Sequence, residues 1–178
     1  MKKYLLQFKP FLIFIGTFFA AYIGLTVIYK LYLNSFHAND IDGITTMIGH
    51  NVDQLMQLFN ENTKIAKSLS GPYLEVRYNN KFTIIIVEGC NAVSVMILFV
   101  SFVIAFSGKF KTTLLFILFG VFLIYVMNVI RIGLLTVLLF HFREKEHILH
   151  GVLFPLIIYG LVFGLWVFWV NKFSKYAK

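Results

Sequence analysis

The stretch Thr112–Arg131, TTLLFILFGVFLIYVMNVIR, holds twenty residues and one charge, and the charge comes last. A predominantly apolar run of this length reads as a helix that crosses a bilayer, whose hydrocarbon core is about 30 Å thick. The rest of the chain agrees. Of its 178 residues, 59% are hydrophobic and only 13% charged, with a mean hydropathy of +0.80. Soluble domains carry roughly 25% charged residues. The sequence therefore describes an integral, all-α polytopic membrane protein, expected to form a single membrane-embedded domain over 1–178. Its net charge of +8 would suggest nucleic acid in a soluble protein. Here the basic residues sit at helix ends, where anchoring and orientation account for them, so no nucleic-acid partner is expected.

Working outward from that stretch, four spans are expected. The first is Phe11–Tyr29, the second runs from near Cys90 to near Phe106, the third rises from Thr112, and the fourth covers about His150 to Val170. The first is too long for a signal-peptide core and is read as a retained anchor, 1–29. After Arg131, the apolar piece IGLLTVLLFHF either lengthens a tilted third helix or folds back as a short re-entrant segment. Lys2, Lys3 and Lys9 precede span one, Lys109 and Lys111 separate spans two and three, and Lys172, Lys175 and Lys178 follow span four. The positive-inside rule places these three segments in the cytoplasm. Segment 30–87 then lies outside, and 88–178 carries the remaining spans.

In the outer segment, Ile41, Ile44, Ile48, Val52, Leu55 and Phe59 recur at helical spacing and predict an amphipathic helix. YLEVRY alternates, Asn79-Asn80 can turn, and FTIIIV is rich in β-branched residues. This predicts a hairpin leading into Glu88-Gly89-Cys90. The alternative is that FTIIIV starts span two.

Depth then singles out a group of side chains. A helix rises 1.5 Å per residue. Counting from the cytoplasmic ends, Cys90 lies about 26 Å deep from Ser107, Arg131 about 30 Å from Lys111, and His150 about 32 Å from Asn171. A thiol, a guanidinium and an imidazole from different spans thus reach one outer boundary, with His147 a turn higher as the alternative imidazole. A thiolate is a strong nucleophile, favoured by a helix N-terminus and a nearby cation. A histidine can take the thiol proton and return it to a leaving amine. An arginine cannot act as a base but can hold a thiolate, an oxyanion or a substrate carboxylate. Such a group supports acyl transfer through a cysteine thioester. Glu88 is expected to orient the histidine or pair with Arg131. Asn128, one turn before Arg131 on its helix, is expected to donate to an oxyanion or steady the arginine.

Other chemistries lack parts. A single cysteine excludes an internal disulfide, a CxxC pair and a thiolate metal cluster. There is no G-x-S-x-G elbow, no HExxH, and no pair of acids at matching depth in separate spans. No metal or organic cofactor is expected. Taken one at a time, the same residues have structural readings: a buried thiol that only packs, an arginine that reaches for headgroups. The rival to an enzyme is therefore a non-enzymatic transporter component or assembly subunit.

At these residues the sequence resembles the exosortase/archaeosortase family, in the pieces EGCNAVSVM, NVIRIGLL and HILHGVLFPLIIYG. The ending PLIIYGLVFGLWVFWVN is most similar to the exosortase F subtype. The resemblance runs from about Phe82 to the C-terminus and implies a polytopic membrane cysteine protease or transpeptidase. It implies Cys90 as nucleophile, Arg131 as the triad arginine, and His150 or His147 as the triad histidine. Many relatives have Ser-Gly after the cysteine where this chain has Asn91-Ala92. The implied substrates are secreted proteins ending in a short motif, a transmembrane stretch and a basic tail. The implied location is the bacterial cytoplasmic (inner) membrane, with the site facing outward.

Overall fold

The computed structural model describes residues 8–37, 40–59, 61–106 and 108–173. Helix α1 spans Lys9–Leu33 and α2 spans Gly43–Leu58. Strands β1 (Thr63–Lys67), β2 (Leu74–Tyr78) and β3 (Lys81–Ile86) follow. A 3-10 turn at Glu88–Cys90 leads to α3 (Val93–Ala105) and then α4 (Phe110–His141). Short turns over Arg143–Ile148 and a π-helical segment, Leu149–Leu153, lead into α5 (Phe154–Lys172).

Three helical stretches are long and apolar enough to cross a membrane: Lys9–Leu33, Phe110–His141 and Arg143–Lys172. Of the four expected spans, three meet that length, and the remaining one is a shorter apolar helix, Val93–Ala105. The second expected span is α3, whose 13 residues rise only about 20 Å. Its start is delayed past Cys90 by local chemistry. The Asn91 side chain accepts a hydrogen bond from the Val93 N–H (2.9 Å), and Ala92 turns the chain through the left-handed region at φ 60°. The helix therefore opens at Val93.

The helices alternate in direction. Phe14 of α1 meets Phe102 of α3 and Phe106 just past its end, while Tyr29 reaches Glu88 and Asn91 at the opposite end. Phe116 at the start of α4 stacks on Trp169 near the end of α5. The Trp169 indole N–H donates to the Phe106 carbonyl (3.0 Å). Lys9, Lys109, Lys111 and Lys172 thus gather at one end of the bundle. Their apolar core holds Phe99, Val103, Phe116, Ile124, Val162 and Trp169. At Gly120 of α4, a Cβ would stand 2.2 Å from the Phe99 ring, so only glycine admits this helix contact. Large apolar side chains elsewhere on α1, α4 and α5 point outward, as lipid-facing surfaces do.

Helix α4 has 32 residues, a rise of about 48 Å. IGLLTVLLFHF continues it rather than folding back, so the helix is about 18 Å longer than a 30 Å hydrocarbon layer is thick. Its outer half is the post on which the outer segment is built. The amphipathic helix α2 buries Thr45, Ile48, Gly49, Val52 and Met56, against α4 and β1. Phe59, expected on the same stripe, lies just past the helix end and is exposed. FTIIIV is a strand, and the expected hairpin is present as β2–β3. Asn79 and Asn80 both take positive φ (50° and 63°), as a tight hairpin turn demands. Strand β1 was not expected. It pairs with β2 to give a three-stranded antiparallel sheet of order β1-β2-β3. Leu74, Val76 and Tyr78 face inward and join Ile48, Val52, Met56, Ile86, Val129 and Ile132 in a second core.

Candidate active site

The outer core ends where β3 runs into Cys90, and there a cavity of about 280 Å³ opens. Cys90, Arg131 and His150 all line it. Each comes from a different element. Cys90 closes the 3-10 turn after β3, Arg131 sits on α4, and His150 sits in the π segment before α5. π-Helical turns inside longer helices occur often at functional sites. Cys90 and Arg131 are half-buried and His150 is exposed, so the cavity reaches from the packed bundle to its surface.

The turn that carries the thiol is held from several sides. The Cys90 N–H donates to the Val87 carbonyl (2.9 Å) and the Asn91 N–H to the Glu88 carbonyl (3.1 Å). Asn128, fully buried, donates from Nδ2 to the Cys90 carbonyl (2.8 Å). Asn91, also buried, donates from Nδ2 to the Tyr29 hydroxyl (2.7 Å), and the Tyr29 hydroxyl donates to Glu88 Oε1 (2.6 Å). The loop is thereby pinned to α1, α3 and α4 at once. Arg131 lines the same cavity, and its Nε is buried with no hydrogen-bond partner among the described residues.

The expected supporting residues are placed differently from their expected roles. Glu88 is bound to Tyr29 and lines a separate cavity with Asp42 and His37. It is among neither the residues around Arg131 nor the described salt bridges, which are Lys67–Asp40 and Arg77–Glu75. Asn128 contacts the Cys90 backbone rather than the arginine. His147 is exposed and outside the cavity lining.

The cavity also contains residues that sequence reasoning missed. Arg143 and Glu146 line it, and so does β3 from Phe82 to Ile86. The spacing from Glu146 to His150 carried a faint signal, since residues four apart share a helix face. Arg143 and the strand had none, because only the tertiary fold brings them to Cys90. Among the described residues no group of three or more His, Cys, Asp or Glu side chains is placed to hold a metal ion.

Comparison with known proteins places the chain in a family. No curated protein and no solved structure matches the chain significantly. The family model described as transmembrane exosortase matches residues 7–170, well beyond the stretch from Phe82 in which the motifs lie. With nearly its whole length matched, the chain belongs to the transmembrane exosortase family.

Proposed function

We propose that this exosortase, of the F subtype, is a cysteine protease or transpeptidase of the bacterial inner membrane. It acts on secreted proteins that end in a short motif, an apolar span and a basic tail. The single observation that carries the reading is one cavity lined by Cys90, Arg131 and His150 at the end of the bundle away from Lys9, Lys109, Lys111 and Lys172. With the basic end in the cytoplasm, the cavity faces outward.

In this reading the Cys90 thiol gives its proton to His150, and the sulfur attacks the scissile carbonyl of the tail. The oxyanion that forms is held by the Arg131 guanidinium, whose buried Nε–H is otherwise without a partner among the described residues. The intermediate collapses to a thioester, the C–N bond breaks, and the imidazolium protonates the departing amine. Water, or the amine of an acceptor, then attacks the thioester and regenerates the thiol. Glu146 lines the same wall as His150 and can steady the imidazole, the role the sequence assigned to Glu88. Asn128 positions the nucleophile through its backbone.

The test is removal of a tail from a co-expressed substrate. Cys90→Ala and Arg131→Ala are expected to abolish it, Cys90→Ser to reduce it at least a hundredfold, and His150→Ala to cost far more than His147→Ala. Full processing by Cys90→Ala would end the enzymatic reading and leave the membrane-subunit one. An external thiol reagent at neutral pH adds a second check: Cys90 should label, and more slowly once His150 is replaced.

A further inference from the structure

We propose that the substrate tail is read as an added β-strand, paired parallel to β3 along Ile84–Ile86 on its way to Cys90. The inference rests on the proposed function and states how that site recognises its substrate.

Four observations carry it. First, β3 is an edge strand, since the sheet order is β1-β2-β3 and no other described strand lies beyond it. Edge strands are normally blunted, because their unpaired N–H and C=O groups invite a further strand. This one carries three consecutive isoleucines, Ile84, Ile85 and Ile86. Second, all three line the cavity. Side chains alternate between the faces of a strand. A cavity against one face would touch every second residue; one that touches three in a row runs along the edge, where the backbone groups are. Third, the strand leads to the thiol. After Ile86 the chain passes through Val87 into the turn Glu88–Cys90, so an edge-bound peptide is delivered to the nucleophile with no gap. Fourth, the edge is short. In the pairing with β2, Val76 stands opposite Ile84 and Arg77 opposite Phe82, which leaves Thr83 as the bulged residue. Bulges end or re-aim pairing and occur next to active sites. The edge left for a substrate is thus about three residues, suited to a short motif.

Direction follows from packing. Tyr78, opposite Lys81 in the sheet, meets the ring of Phe140; Ile84 borders both the cluster of Leu135 and Leu139 and the one that holds Val129 and Ile132, and Ile86 belongs to the latter alone. Strand β3 therefore descends along α4, from its outer end toward the depth of Asn128 and Cys90. A tail whose C-terminal span lies in the bilayer descends the same way, which makes the pair parallel. Main-chain hydrogen bonds then supply affinity that tolerates different side chains, and the cavity wall supplies selection.

The experiment uses the full-length chain in membranes, in the Cys90→Ala background, which removes its one cysteine. Ile85→Cys and Phe82→Cys are introduced singly; both side chains are partly exposed, at 43% and 47%. The probe is a panel of reporters that end in tails from secreted proteins of the same genome, each with an apolar span and a basic end. A single cysteine is walked through each tail and disulfide capture is measured. For at least one tail, Ile85→Cys should capture every second position. Phe82→Cys should capture only positions further upstream. A proline walked through the tail gives a backbone readout that leaves the enzyme untouched. It should lower capture about 3- to 10-fold at alternate positions and spare those between, because only alternate N–H groups face the partner strand. Capture with a period of three to four, capture in the reverse order, uniform proline tolerance, or no capture from any tail overturns the proposal. The two readings fail separately. Tail removal by Cys90→Ala ends the nucleophile assignment but not the capture pattern. Loss of the pattern with Cys90-dependent processing ends only the strand pairing.

Discussion

Replacing Asn128 with leucine separates the cost of a lost hydrogen bond from the placement of the nucleophile. Asn128 is fully buried, and its Nδ2 donates to the Cys90 carbonyl at 2.8 Å. Its Oδ1 is also buried and has no partner among the described residues. Leucine keeps nearly the same volume and removes both polar atoms. Stranding the Cys90 carbonyl costs about 1–3 kcal/mol, while removing a partnerless buried acceptor returns a similar amount. The two effects nearly cancel in folding stability, so the unfolding temperature should shift by a few degrees at most. They do not cancel at the site, where only the lost bond touches the turn that carries the thiol. If the full 1–3 kcal/mol falls on the geometry of attack, the rate of tail removal drops about 5- to 150-fold. The assay is tail removal in membranes over a range of substrate levels, beside thermal unfolding in detergent. We expect kcat to fall with KM and the unfolding temperature held. Unchanged kcat in a folded Asn128→Leu chain would refute the positioning role, and so would a loss of activity that merely tracks unfolding.

Ala92 at φ 60° occupies backbone space that costs an L-residue roughly 1–2 kcal/mol. Ala92→Gly relieves that strain but adds about 0.5–1 kcal/mol of unfolded-chain entropy and removes a buried methyl worth about 0.8 kcal/mol, so the unfolding temperature should move by no more than a few degrees, and a loss of several kcal/mol would contradict that geometry. Gly120→Val should destabilise by about 2–4 kcal/mol through the clash with Phe99, and Phe99→Leu in the same chain should recover part of the loss. The Tyr78 hydroxyl donates to Glu61, which raises the phenol above its ordinary ionisation range. A raised folded value means this stabilisation is complete below the unfolded phenol's range, near pH 10, and fades as pH rises through the folded value. Tyrosine-resolved NMR titration should show Tyr78 ionising above the ordinary phenol range, and Glu61→Ala should return it toward pH 10.

The membrane class, the helix α2 and the β2–β3 hairpin were legible because each rests on a local period. The apolar run 112–131 marks a bilayer, Ile48 and Val52 mark a helix face, and Asn79-Asn80 between the alternating YLEVRY and the β-branched FTIIIV marks a turn. Strand β1 was not legible: TKIAK, with two lysines in five residues, has no apolar alternation and is a strand only because β2 pairs with it. The length of α3 was hidden for another reason. Asn91 and Ala92 look like part of an apolar span, and only the backbone shows that they turn the chain. At the site, depth counting singled out Cys90, Arg131 and His150, which line one cavity, since helical rise converts sequence into height. It carried no information about direction around each helix. That is why Glu88, adjacent in sequence, lies against Tyr29, while Glu146 and the edge of β3 reach the cavity unannounced.

The central claim is that Cys90 forms a covalent bond to the substrate. Its most direct test is the mass of the chain isolated by acid quench from cells that are processing a tail. The account predicts an acyl adduct on the peptide that contains Cys90, released by neutral hydroxylamine as a thioester is, and missing from Cys90→Ala. Tail removal that proceeds at full rate in Cys90→Ala, or an adduct mapped to another residue, would contradict it.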